Sequence, residues 1–332
     1  MRTFARIGGR IGQIALAVLA LGYVALGLHF QLKPPLLYVL YAALLFWAVC
    51  VTLLVWRGRW RRVWLVMAGL VTIWGLWWAT IEPRQDRDWM SEVSRGVTST
   101  PAANGRITLH NIRDFRWSSP TEAEQAWYDL EVDPQSLTSV DMILSVWDHP
   151  DIAHTLVSFG FEDGQHVVFS GEIRKEKGEE FSNIGGLFKS YEVVLIAADE
   201  RDIVNLRTNA RGETVSLYPV ALSDEQRLDL FRALLDYGNA LAERPRWYHT
   251  LWTNCTTLPY RLVRGITDGA PFDLRIILSG RLPGYLYDLG VLPGAEAMPL
   301  SELRERAALP TLDVAGMGSA PYSKALRQGW QD

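Results

Sequence analysis

Only two cysteines occur in the 332 residues, Cys50 and Cys255. Cys50 lies in a long apolar run. Cys255 lies in LWTNCTTLPYRLV (251–263), between an Asn and two Thr, where the sequence predicts the start of a helix. A structural cysteine usually keeps apolar company. A thiol at a helix N-terminus feels the partial positive charge there, which lowers its pKa and makes it a nucleophile. Such a nucleophile needs a base, and His154 is the leading candidate, at the start of a β-rich run. His149, His166 and His249 compete, and His249 is only six residues from Cys255. A thiol and an imidazole are the smallest set that can carry out covalent acyl transfer. A third polar group normally orients the imidazole, and Glu172 on the returning strand is the candidate.

That assignment depends on register. Asp163-Gly164 between two β-rich stretches is a strong hairpin signal. A two-residue turn places Thr155 opposite Glu172, and His154 then faces away from Glu172. A three-residue loop that includes Gln165 places Leu156 opposite Glu172, and the two then share a face. Residue types alone leave other roles open. Cys255 could be a small core residue and His154 a satisfied strand histidine. Glu172, Arg174, Glu176 and Lys177 could form a solvated strand edge. IGGLFKSY (184–191) could be a loop over a site; it is not a phosphate-binding fingerprint, since no helix clearly follows. No His/Cys/Asp spacing suggests zinc, so neither a metal nor a cofactor is expected.

The elements around these residues are readable from the pattern. Strands are expected in 106–119, 137–148, 153–176 and 213–223, with 121–134 a short helix or loop; 191–209 gives another strand and then an acidic-basic cluster, ADERDIV, that could be a structural ion-pair cluster. The best soluble helix is 223–243, where Ser223 and Gln226 form a capping box ahead of a Leu228, Phe231, Leu234 and Leu235 stripe. A second helix starts at Cys255. The region 274–292 is expected to be partly helical and the last twenty-five residues irregular.

Ahead of this lie three apolar runs of about twenty residues, 11–30, 36–56 and 63–81, each long enough to span a bilayer. Eight Lys or Arg and no Asp or Glu fall in the first 81 residues. Arg2, Arg6 and Arg10 precede the first run, and Arg57, Arg59, Arg61 and Arg62 separate the second from the third. Only Lys33 lies in the other loop. The positive-inside rule then places the N-terminus in the cytoplasm and everything after Ile81 outside. The expected organisation is a three-helix transmembrane anchor at 1–81 and a periplasmic domain at 82–332. Trp74, Trp77 and Trp78 would sit as an interfacial belt near the outer end of the third run. The runs carry no ionisable residue except His29 at an edge, which argues against a transporter. The later residues hold 25 of the 33 basic side chains and all 37 acidic ones. That acidic balance argues against nucleic-acid binding. Two cysteines so placed make no disulfide framework.

Three blocks carry a family resemblance: AHTLVSFGFEDGQHVVFSGEIRKEKGEEF, GLFKSYEVVLIAADERDIVNLRTN and RPRWYHTLWTNCTTLPYRL. In that order, they resemble the periplasmic domain of the Lnb-type family, over about Arg84 to Leu292. The family in turn resembles circularly permuted NlpC-type papain-like cysteine hydrolases. The fold this implies is α+β, an antiparallel sheet with packed helices, with a Cys at a helix start and a His on the adjacent strand. Permutation would explain why His154 precedes Cys255. The implied roles are Cys255 as nucleophile and His154 as base, with Glu172 as orienter carried less firmly. The implied activity is lipoprotein N-acylation in a bacterial inner membrane, with a phospholipid as acyl donor and a diacylglyceryl-cysteine lipoprotein as acceptor. Phe188, Trp247, Trp252 and Tyr260 are candidates for a lipid entrance or for ordinary core. The alternative function is a membrane-anchored cysteine amidase or peptidase acting on cell-wall peptide. A non-enzymatic envelope protein is a third, and would tolerate loss of Cys255.

Overall fold

The computed structural model describes residues 2–267, 269–314 and 316–330, with side chains from Arg10 onward. The side chains of Arg2 and Arg6, part of the orientation argument, lie outside the described residues. The chain divides into two compact units. One comprises the chain up to Pro83 together with Ser182–Ser190; the other comprises Arg84–Phe181 and the chain from Tyr191 onward.

The first unit is built from α1 (Arg2–Gln31), α2 (Leu36–Trp56) and α3 (Trp60–Ala79). All three are long and apolar enough to cross a membrane, over Arg10–Gln31, Leu36–Trp56 and Trp60–Ala79. The Arg10 guanidinium lies 5.6 Å from the Trp60 ring, so the basic N-terminal stretch and the Arg57–Arg62 turn share one end of the bundle. Gly27 on α1 makes room for Trp74 of α3, since a Cβ there would lie 2.3 Å from its ring. Trp74 is therefore buried, stacked on Trp78 at 5.1 Å and tilted against Trp77. Trp77 and Trp78 are partly buried beside it, so the three tryptophans form one aromatic cluster near the C-terminal end of α3. The IGGLFKSY stretch falls largely within this unit. Phe188 is buried against Tyr23 and stacked on Phe30. Lys189 Nζ donates to the Trp78 and Ile81 carbonyls, 2.7 and 3.1 Å away, at the C-terminal end of α3.

The second unit is α+β. Its strands are β1 (Thr98–Pro101), β2 (Ile107–Arg113), β3 (Arg116–Trp117), β4 (Ala123–Glu124), β5 (Trp127–Val132), β6 (Leu137–Val146), β7 (His154–Phe161), β8 (His166–Arg174) and β9 (Glu192–Asp199). After α4 (Glu200–Asn205) comes β10 (Thr214–Pro219). The helices that follow are α5 (Asp224–Glu243), α6 (Thr257–Ile266), α7 (Leu282–Asp288), α8 (Leu300–Ala307) and α9 (Ser319–Leu326). The main sheet runs β1-β2-β9-β8-β7-β6-β10, with β5 also on β2, and β3 pairs with β4 separately. Among the described residues, only the β2–β9 strand pairing is parallel.

Alternation along the central strands separates two cores. Val157, Phe159, Phe161, Val167 and Phe169 face α5 and α6, where Phe231 packs edge-on against three of those phenylalanines. Ile143, Leu156, Val168, Val194 and Ile196 face the other way, toward α4 and α9. A third cluster joins the ends of β6 and β10 to α7 and α8. The Ser223–Gln226 capping box forms, and α5 buries Phe231, Leu234 and Leu235, with Leu228 partly buried beside them.

Two stretches differ from expectation. Residues 121–134 form β4 and β5 rather than a helix or loop, because β2 offers an edge for β5 to pair with. The last twenty-five residues contain α9, whose Tyr322 and Leu326 are buried in the second core. Arg327 then binds the buried carboxylates of Asp141 and Glu200, fastening this end of the chain beneath the sheet. The ADERDIV stretch is a structural cluster. Asp199 caps α4, and Asp202 forms a buried bidentate pair with Arg113.

Candidate active site

Asn254 explains the placement of Cys255. Its Oδ1 accepts from the Thr256 and Thr257 main-chain N–H groups, at 2.9 and 2.7 Å, and from the Thr257 hydroxyl. The Thr257 hydroxyl in turn accepts from the Asn254 N–H at 3.0 Å, and Leu258 N–H donates to the Asn254 carbonyl. Asn254 is thus the working cap of α6, and Cys255 is the first residue after it. The polar neighbours that made this cysteine unusual are capping residues. The Cys255 N–H is donated to no group among the described residues.

Gly171 on β8 lets this helix start approach the sheet. A Cβ there would lie 3.0 Å from Leu258 Cδ2 and 3.8 Å from Cys255 Cα. The thiol lies 4.0 Å from the Ala153 carbonyl and 3.8 Å from Thr256 Oγ1. Thr155 and Thr256 join hydroxyls at 2.9 Å, tying β7 to the start of α6.

The hairpin settles the register. Phe161 N–H donates to the Gln165 carbonyl, and Gly164, at φ +80°, closes a loop of Glu162, Asp163 and Gly164. The loop has three residues but begins one position earlier than the three-residue alternative considered above. Val157 pairs with Phe169 and Gly160 with His166, so the same register brings His154 itself opposite Glu172. His154 and Glu172 share a face, and Nε2 lies 2.9 Å from Glu172 Oε1. Ser170, two residues back on β8, donates to Glu172 Oε1 at 2.8 Å and stands 2.7 Å from His154 Nε2. With Nε2–H directed at these oxygens, Nδ1 is the ring nitrogen left to exchange a proton with the thiol.

The charges reinforce one another. Burial alone would drive the His154 pKa down, but Glu172, aided by Cys255, outweighs burial and Arg207 and pushes it up to about 9. Burial would raise Glu172; the imidazolium, the bonds to it and Ser170, and Arg207 hold it well below the usual carboxylate range. Burial likewise opposes ionisation of Cys255. The charge and hydrogen bond of His154 prevail, with help from the Thr155 backbone and Thr256, and the thiol falls below its ordinary value. The arrangement favours a thiolate–imidazolium pair at neutral pH. Tyr248, buried nearby, is raised by burial and by the negative charges of Cys255 and Glu172.

Several residues in this neighbourhood were not anticipated. Arg207 reaches Glu172 and Glu213, each at 3.3 Å, and Glu213 is also bonded by Ser145. Ser279 holds the strand entry: it accepts from Ala153 N–H at 2.8 Å and donates to the Ala153 carbonyl at 2.6 Å. Beside it, Arg281 clamps Asp151 and Gly280 N–H donates to the Asp151 carbonyl. Ser170 was open to prediction from i, i+2 spacing to Glu172; Arg207 and Ser279 are too remote in sequence. The competing histidines have other partners. His149 Nδ1 accepts from Asp151 N–H, His249 Nδ1 from Leu251 N–H, and His166 lies against the Gly164 carbonyl. Of the lipid-entrance candidates, Phe188 belongs to the first unit, Trp247 is half-buried, Trp252 is 63% exposed and Tyr260 lines a cavity.

Fold and site together define an α+β domain in which a helix-start thiol meets an imidazole held by a carboxylate. Residues 123–280 match the family model described as the Lnb N-terminal periplasmic domain, a stretch that contains Cys255, His154 and Glu172. The Lnb-type resemblance read from the sequence is borne out over that stretch. No curated protein and no solved structure matches the chain. Three membrane-capable helices ahead of a periplasmic-domain match support a membrane protein with a periplasmic domain.

Proposed function

We propose that this chain is a lipoprotein N-acyltransferase of a bacterial inner membrane. Residues 1–81 are its multi-pass anchor with a cytoplasmic N-terminus, and 82–332 its periplasmic catalytic domain. The observation that carries the reading is the Cys255–His154–Glu172 arrangement at a capped helix start. A thiol at a helix start, an imidazole on an adjacent antiparallel strand and a carboxylate on the next are also what a permuted papain-like fold would supply.

In the reaction, the Cys255 thiolate attacks an ester carbonyl of a phospholipid, forming a C–S bond. The Cys255 N–H is placed to hold the resulting oxyanion. The C–O bond breaks, the His154 imidazolium gives its proton to the departing lysophospholipid oxygen, and a thioester remains. The α-amine of a diacylglyceryl-cysteine lipoprotein then attacks the thioester. His154 takes the amine proton, the thiolate leaves, and an amide-linked third acyl chain results. Glu172 and Ser170 keep the imidazole oriented throughout, and Arg207 holds Glu172.

The three apolar helices favour substrates presented at a bilayer over soluble cell-wall peptide, and the family match is in keeping with an envelope role. The test is Cys255→Ala and His154→Ala in membranes, with the acylation state of a lipoprotein N-terminus read by mass spectrometry. Accumulation of the diacylated form in both supports the proposal. Unchanged triacylation in both removes it, and cell-wall peptides become the substrates to examine.

A further inference from the structure

An apolar cavity of about 300 Å³ lies inside the second unit. Its walls come from the sheet (Met142, Val157), α5 (Leu230), α6 (Val263) and α7 (Leu286). Thr155 and Thr256 also line it, and these are the residues next to His154 and Cys255 in sequence. Thr256 Oγ1 is 3.8 Å from the thiol and 2.9 Å from Thr155 Oγ1, so a single hydroxyl pair separates the thiol from the cavity. Protein interiors hold few spaces larger than a water molecule, so an apolar, partly open pocket of this size is a departure from ordinary core packing. Its volume is at the lower end of the range for small-molecule sites.

We infer that this cavity receives the hydrocarbon chain of the acyl group carried on Cys255, with the Thr155–Thr256 hydroxyl pair as its threshold. The inference rests on the acyl-transfer reading of the same site and adds how the acyl group is accommodated. A fatty chain has no polar groups to satisfy, so it gains by entering such walls. A peptide would strand main-chain N–H and C=O groups there. The loops leading into His154 and Cys255 and out of α6 support a lipid substrate. They expose Trp147, Ile152, Leu251, Trp252, Phe272 and Leu274, large apolar side chains suited to an acyl chain leaving a bilayer. Asp141, at the cavity wall, is neutralised by Arg327 and presents no unpaired charge to the chain.

The experiment uses the full chain in detergent or nanodiscs, offered esters of short and long acyl chains. In one arm the labelled acyl chain is on phosphatidylethanolamine, and in the other on a diacylated lipopeptide. The adduct on Cys255 is trapped by acid and weighed as intact protein. Val263→Phe narrows the cavity on α6, two helical turns from the thiol. It should shift the ratio of short to long adducts toward short chains by about tenfold, the loss expected when roughly two methylenes are expelled from an apolar site. Iodoacetamide labelling of Cys255 should be unchanged. Because the ratio is internal to each sample, it does not depend on the folded fraction, and Val263→Leu serves as a milder version. Whichever lipid supplies the label identifies the source of the chain. An unchanged chain-length ratio in both variants, with adducts still forming, overturns the cavity assignment and leaves acyl transfer standing. Absence of any adduct on a wild-type thiol that alkylates normally overturns the acyl-transfer reading and this inference with it.

Discussion

Glu172→Gln isolates the charge that the site depends on. Gln keeps the shape and can still accept from Ser170, but removes the negative charge 2.9 Å from His154 Nε2. Raising His154 from its ordinary 6.5 to about 9 corresponds to roughly 3 kcal/mol favouring the imidazolium. Glu172 is the largest favourable contribution. Its attraction at that distance is about 6 kcal/mol at an effective dielectric near 20, enough to offset both desolvation and the repulsion from Arg207. Without it, burial and Arg207 are opposed only by the smaller contribution of Cys255, so the histidine pKa falls and the thiolate loses its counter-charge. The alkylation rate of Cys255 by iodoacetamide, followed against pH, reports the thiolate. The wild type should hold a plateau through neutral pH. Glu172→Gln should lose the plateau, with the rate at about pH 7 reduced roughly 10- to 100-fold and rising as pH increases. A wild-type plateau retained in the variant would refute the electrostatic argument, because some other group would then be holding the imidazolium.

Other outcomes follow from the same geometry. Asn254→Ala removes the cap of α6 and should cost about 1 kcal/mol in denaturant unfolding as well as raising the Cys255 pKa, while Asn254→Asp should retain most of the stability. Gly171→Val forces a side chain against Leu258 and the Cys255 backbone. It should cost about 1–3 kcal/mol and abolish thiol activation even in the folded fraction, read by alkylation of refolded protein. Arg207→Met removes the buried cation shared by Glu172 and Glu213, leaving Glu213 with Arg211 at 3.8 Å and Glu172 with His154, and should lower stability by about 1–3 kcal/mol in urea titration. The pH dependence of stability has a defined sign. The folded pKa of His154 exceeds its unfolded value, so its contribution is fully present below about 6.5 and is lost as pH rises through about 9. The lowered thiol of Cys255 contributes with the opposite slope, so the His154 contribution is read in Cys255→Ala: its unfolding midpoints should fall across that window, and those of Cys255→Ala combined with Glu172→Gln should fall less.

What the sequence disclosed was local. Apolar run length gave the three helices of the first unit, and Ser223 with Gln226 gave the start of α5. The identity of Asn254 as a cap was implicit in the polar cluster around Cys255, and the cluster correctly pointed to a helix start. The hairpin was readable from Asp163-Gly164, but its register was not. The energy difference between loops beginning at Glu162 and at Asp163 is set by strand packing on both faces, not by the turn residues. Residues 121–134 read locally as a short helix or loop, and pairing with a distant edge, not local propensity, makes strands within them. The helix near the C-terminus was missed for a related reason. Ser319–Leu326 is short and weakly patterned, and it is held by burial of Tyr322 and by the Arg327 pairs to Asp141 and Glu200. Arg207 and Ser279 reach the site from 53 and 125 residues beyond His154 in sequence, and no spacing rule links such positions.

The central claim is that Cys255 carries an acyl chain between lipids with His154 as its base. The most direct measurement is the mass of a lipoprotein N-terminal peptide from membranes holding wild type, Cys255→Ala or His154→Ala, each checked for expression and membrane insertion. The account predicts a triacylated peptide with wild type and a diacylated peptide with either variant. A triacylated peptide in both variants would contradict it.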